Sequence, residues 1–291
     1  MIKLILILFF MNDGLNGFVS ENFRDSFSQS DFTILNTSGL KEFPSNNREL
    51  LVSHIRNLLL WVDVSYGVHI ISGTNNVEQW DNKVGKRYNI FQTNSIRQPE
   101  YIENDYRGSP SLYFDGTFNA MLTRSNNVFD FGAVDKISIC AVFKTITNGT
   151  SIISKRNSSG NGWTLSISST GGVSFLLRNS SSNLLLSRTS SVLSDDTFRF
   201  VAMTYNGSKD ASQVKFYINK KDSLFLDRTI VGNNTLTLSP VVLANTTIGA
   251  ENSGTQNNFL GNINKLLVAK TELTKEEVES IFFNFKKNYL A

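Results

Sequence analysis

The sequence predicts an all-β protein, built as an antiparallel two-sheet sandwich with one C-terminal helix and an extended N-terminal arm. Three observations lead there. Residues 198–205, FRFVAMTY, are apolar at nearly every position. A strand dry on both faces belongs in the middle of a sheet that another layer covers. Residues 137–143, 163–167, 173–177 and 184–186 are short apolar runs separated by Asn, Gly and Ser, as strands joined by turns would be. Helical periodicity, finally, is confined to the two flanks.

Composition agrees. A chain of 291 residues fits one large β domain or two smaller ones. Forty per cent hydrophobic residues, 22 Phe among them, supply a core, and only 4 Pro argue against wholesale disorder. A net charge of +3 with no Lys/Arg run interleaved with aromatics argues against nucleic-acid binding. Cys140 is the sole cysteine, so no intrachain disulfide forms; within KISICAVFK it is a small buried residue. Two histidines, His54 and His69, are too few for a His-rich metal site.

Taken in order, the chain opens with MIKLILILFFM. Lys3 and the apolar residues after it have the pattern of a secretory leader, and the run is too short to cross a bilayer as a helix. The following NDGLNGF lacks a pair of small residues suited to cleavage, so residues 1–47 are expected to stay as an arm. A leader ending near residue 17 is the alternative. Residues 12–47 are polar and studded with Phe18, Phe23, Phe27 and Phe32, which fits an arm that docks. Residues 48–291 then form the domain. Leu51, Ile55 and Leu58 share a helical face, predicting a short helix over 48–57, and residues 58–64, LLLWVDV, predict a strand.

After the strand at 198–205, Asn206-Gly207 predicts a tight turn. Val214, Phe216 and Ile218 alternate with Lys215, Tyr217 and Asn219, predicting a partner strand with one wet face. Thr274 with Glu277 three residues on is a capping box, and Val278, Ile281, Phe282 and Phe285 form a stripe, predicting a helix over 275–287.

Several motifs in sequence carry a resemblance. They are Trp61/Asp63, then Trp80/Asp81/Gly85, then Gln98/Pro99/Tyr101, then Gly108/Pro110/Phe114/Asp115/Gly116. FRFVAMTYNG, VKFYINK, NTTIGAENSG and FLGNINKLLVAKTELTKEEVESIF follow. In this order they resemble a laminin-G-like domain of the concanavalin A-like lectin/glucanase superfamily, in its bacterial and phage version. The resemblance runs from about residue 58 to 289 and implies a jelly-roll sandwich. It also implies a non-enzymatic structural or adhesive virion protein, such as a capsid decoration, head fibre or tail component. Such a protein would meet other virion proteins through its arm, act in an oligomer or assembly, and take host glycans as ligands. A secreted bacterial carbohydrate-binding or cell-surface adhesion protein is the alternative.

The residues themselves argue against an enzyme. Glycoside hydrolysis needs two carboxylates flanking the bond, and glucanases of this superfamily present them from one strand as E-x-D-x-x-E. That motif is absent here. Glu276, Glu277 and Glu279 sit instead at the start of the predicted helix, where acid suits the macrodipole. Nucleophile-elbow glycines, a phosphate-cradling loop and Cys/His metal spacings are also absent. By position in the resemblance, Asp63, Asp81 and Asp115 are candidate calcium ligands at the sandwich rim. The simpler role for each is to cap a turn. Tyr66, Trp80 and Trp163 are candidates to stack on a sugar, with burial in the core the commoner fate of a strand tryptophan. Seven N-x-S/T triplets, beginning with Asn36, are what chance gives in a chain so rich in Asn, Ser and Thr.

Overall fold

The computed structural model describes residues 52, 54–85, 88–106, 108–123, 127–220, 223–240 and 242–289. The arm at 1–47 and residues 48–51 and 53 of the helix expected over 48–57 lie outside the described residues; Val52 is helical, but residues 54–57 form a turn that leads into the first strand, so the helix does not reach residue 57. Among those described, the chain first forms β1 (Leu58–Asp63), β2 (Val68–Ile70), β3 (Val77–Trp80), β4 (Ile90–Phe91), β5 (Glu100–Tyr106) and β6 (Ser109–Asp115). Next come β7 (Met121–Thr123), β8 (Ile137–Thr145), β9 (Ser151–Arg156), β10 (Gly162–Ile167), β11 (Val173–Ser180) and β12 (Asn183–Thr189). The last strands are β13 (Arg199–Tyr205), β14 (Lys215–Lys220), β15 (Ser223–Asp227), β16 (Thr229–Asn234), β17 (Thr247–Ile248) and β18 (Leu260–Ala269), followed by helix α1 (Lys275–Tyr289). No described helix is long and apolar enough to cross a membrane.

Two antiparallel sheets result. The first runs β15-β14-β13-β8-β18-β6-β5, with β1 also paired to β18. The second runs β16-β12-β11-β10-β9-β17-β7-β4-β3-β2. β18 therefore holds β8 on one side and both β6 and β1 on the other, β6 along Leu260–Ile263 and β1 along Lys265–Ala269. The sandwich runs from residue 58, where β1 begins, to residue 269, where β18 ends.

β13 shows why a strand can be dry on both faces. Val201, Met203 and Tyr205 enter the core between the sheets. Phe200 and Ala202 point the other way, into a second cluster beneath α1. There Val278, Ile281, Phe282 and Phe285 cover the sheet, and Phe200 packs 5.3 Å from Phe282 and 5.9 Å from Phe285 by ring centroid. The capping box forms as predicted. The Thr274 backbone N–H donates to Glu277 Oε2 (2.8 Å), and the Glu277 N–H donates to Thr274 Oγ1 (3.2 Å). Cys140 lies in the same cluster, and burial pushes its thiol pKa far up, so it is an inert core residue.

Two expectations need correcting. Asn206-Gly207 is not a two-residue hairpin, because β13 ends at Tyr205 and β14 begins only at Lys215. Gly207 does take positive φ (78°), but the connection continues through Lys209 (φ 62°) into a 3-10 turn at Ala211–Gln213, which the Asp210 side chain caps at the Ser212 N–H. Nor does β14 have a wet face. Tyr217 lies in the cluster beneath the helix, and the buried Asn219 side chain accepts a hydrogen bond from the Phe200 N–H (2.7 Å).

Candidate functional site

The structure sends the sequence-derived candidates to different places. Trp80 and Trp163 belong to the inter-sheet core, 0% and 1% exposed, and Trp163 Nε1 donates to the Phe129 carbonyl (2.8 Å). Neither ring offers a face to a sugar, because β3 and β10 turn these positions inward. Tyr66 is 51% exposed, and the Lys83 ammonium stands 5.2 Å from its ring and 4.7 Å from that of Trp61.

The three aspartates do not converge on one point. Asp63 is buried and faces Lys265 Nζ at 2.7 Å and Lys83 Nζ at 3.6 Å. Burial works to raise its pKa, but the two ammonium groups and Ser65 outweigh it and hold the carboxyl below its ordinary value. Asp81 Oδ1 accepts from Gln79 Nε2 and Asn89 Nδ2, both at 2.6 Å, while His69 Nε2 stands 3.1 Å from Oδ2. Asp115 Oδ1 accepts the N–H groups of Thr117, Phe118 and Asn119 at 2.9–3.0 Å, and Oδ2 accepts from Thr117 Oγ1 at 2.6 Å. That is a turn cap, and these donors overcome burial to lower the Asp115 pKa. Among the described residues no three His, Cys, Asp or Glu side chains are grouped to hold a metal.

A cleft forms elsewhere, at the open edge of the sandwich. There the edge strand β2 and the loop after it meet β5, the edge of the other sheet. The Tyr101 N–H donates to the Asn75 carbonyl (2.8 Å), and the Val77 N–H to the Pro99 carbonyl (2.9 Å), so the walls are fixed by backbone bonds. The cleft, of ≈ 440 Å³, is lined by Ile70, Thr74, Asn75, Tyr101, Ile102 and Glu103. Burial and then the Glu103 carboxylate push the Tyr101 phenol above its ordinary pKa, so it stays protonated and can donate. Thr74 Oγ1 is occupied by the Ile71 carbonyl, and Asn75 Nδ2 reaches Glu100 Oε1 at 3.4 Å. Tyr101 was visible in the sequence as part of Gln98/Pro99/Tyr101, but its cleft partners were not. They come from the end of β2, the SGTNN turn and the IE pair after Tyr101 in β5.

Glu103 and Asp105 are the nearest approach to a glucanase acid strand. Asp105 is engaged by Lys144 Nζ (3.0 Å) and Ser111 Oγ (2.6 Å), and the third acidic position is Gly108. The arrangement offers binding groups without a free carboxylate pair.

Residues 115–279 match the family Laminin_G_3, described as the concanavalin A-like lectin/glucanases superfamily. Among solved structures, the binding domain of Paraclostridial Mosquitocidal Protein 1 has a TM-score of 0.54 at 15% identity, over 80% of this chain and 53% of that one. The Trypanosoma rangeli sialidase in complex with sialic acid has a TM-score of 0.52 at 12% identity, over 84% of this chain and 38% of that one. The chain thus spans about half of the toxin domain and less than two fifths of the sialidase. At these identities the likeness is one of fold. No curated protein matches the sequence significantly.

Proposed function

Because the chain belongs to the concanavalin A-like lectin/glucanases superfamily, we propose that it is a non-enzymatic carbohydrate-binding protein whose glycan sits in the edge cleft. The observation that carries this reading is the lining of the cleft. Ile70 and Ile102 offer apolar surface to the C–H face of a sugar ring, while the Tyr101 hydroxyl, Asn75 and Glu103 offer donors and acceptors to its hydroxyls. The fold likeness to a toxin's binding domain supports a binding role. The test is a neutral-glycan array with the full chain. Tyr101→Phe and Asn75→Ala should each weaken a hit by about tenfold, the worth of one lost hydrogen bond to a ligand. Unchanged affinity in both variants would move the glycan out of this cleft. No reducing ends should appear from a β-glucan panel, and their release, lost on mutating a specific acid, would make the protein a hydrolase.

At the finer level we place this adhesin on a virion, anchored through residues 1–47. What supports that reading is the resemblance of its motifs to the phage and bacterial version of the domain. Deleting residues 1–47 should leave a folded sandwich that no longer co-purifies with particles. Native protein lacking residues 1 to about 17 by mass spectrometry would favour the secreted alternative.

A further inference from the structure

We propose a second binding site, for a linear acidic polysaccharide, on the outward face of the second sheet around Arg178 and Arg188. Val173, Phe175 and Leu177 of β11 and Leu185 of β12 face the core, so by alternation Ser174, Leu176 and Arg178, with Leu184, Leu186 and Arg188, face outward. Cross-strand register puts Arg156, Gly162 and Arg178 in one row, Thr164, Leu176 and Leu186 in the next, and Ser166, Ser174 and Arg188 in a third.

Gly162 is what lets two of these arginines meet. Its φ is +120°, and a Cβ there would lie 1.9 Å from the Lys155 carbonyl oxygen, so the position stays bare. Across it, Arg156 Nη2 and Arg178 Nη1 flank one point, 2.6 Å and 3.3 Å from where a side chain on Gly160 would begin. The Arg156 guanidinium is held by the Gly160 carbonyl and by the buried Glu251 carboxylate at 2.5 Å. Glu251 also accepts from Asn257, so its carboxylate is engaged by Arg156 and an amide. Arg178 Nε and Arg188 Nε are both shielded from water and have no hydrogen-bond partner. These Nε atoms are closed to a ligand as well as to water, so an anionic ligand would meet each guanidinium from its outer side.

Nothing on the strands offsets these charges. Residues 137–194, which include β8 to β12, contain no Asp or Glu. Arg178 and Ser174, the partner of Arg188, are four residues apart on β11, so the two arginines are separated by about 13 Å along the strand. One small acid cannot span that distance, whereas a polymer with repeated charges can. The floor between them is Leu176 and Leu186, with the aromatics of β10 and β11 turned inward. A face without aromatic platforms suits a glycan better than the bases of a nucleic acid.

The test titrates the full chain with polygalacturonate and with dextran sulfate, which separate carboxylate from sulfate recognition, and with unsubstituted dextran and single-stranded DNA as controls. Binding to at least one acidic polymer is expected, weakening as salt rises. Arg178→Gln and Arg188→Gln should each lower affinity by about tenfold or more without shifting Tm, and Tyr101→Phe should leave it unchanged. The proposal is overturned if neither acidic polymer binds, if the arginine variants bind as the parent does, or if single-stranded DNA binds more tightly through the same arginines.

Discussion

Removing the charge of Asp63 tests what that residue is for. Its neighbour Lys265 is buried, and Asp63→Asn removes the charge that faces Lys265 at 2.7 Å and Lys83 at 3.6 Å. Breaking a buried pair from one side costs about 3–5 kcal/mol, which chemical denaturation would read directly. Acid should produce part of the same loss. The folded-state pKa of Asp63 lies below its unfolded value, so its contribution is complete above the model-peptide value of 3.8 and disappears as pH falls through the lower folded value. Stability measured from pH 5 downward should fall less steeply in Asp63→Asn than in the parent. The sequence marked Asp63 as a residue with a task, but the task depended on a lysine 202 positions away. Trp80 and Trp163 show the same limit. Strand periodicity assigns a side chain to one of two faces, and only the position of the other sheet tells which face is dry.

Whole elements were more legible where their signals are local. The helix cap needs two residues three apart, and both bonds formed. Thr274→Ala should cost about 1 kcal/mol of stability, seen as a lower denaturation midpoint, and an unchanged midpoint would show that packing alone sets where α1 begins. The β13–β14 connection had no such local code. The Lys209 N–H donates to the Tyr205 hydroxyl at 2.6 Å, and the Ala211 N–H to Asn234 Oδ1, at the end of β16, at 2.8 Å. The face of β14 that alternation marked as wet is dry because a helix encoded some sixty residues later lies on it. The edge cleft was hidden for a similar reason, since its two walls belong to different sheets.

Across the whole molecule, two clusters share β13, the inter-sheet core on one face and the helix-covered layer on the other. Phe200→Ala should therefore cost about 3–5 kcal/mol, with denaturation as the measure. β18 has a further consequence, one of timing. It is the last strand made, yet it sits inside the first sheet, between β8 and the pair β6 and β1. A chain emerging vectorially from the ribosome must wait for residue 269 before β1 or β8 can close against it. Until then the nascent sheet carries open edges, the state in which slow, non-local β pairing is exposed to misassembly. Force recorded with an arrest peptide at successive chain lengths should stay low until β18 has cleared the exit tunnel, then rise in a single step. A strong earlier peak would mean that the second sheet folds without waiting for the first.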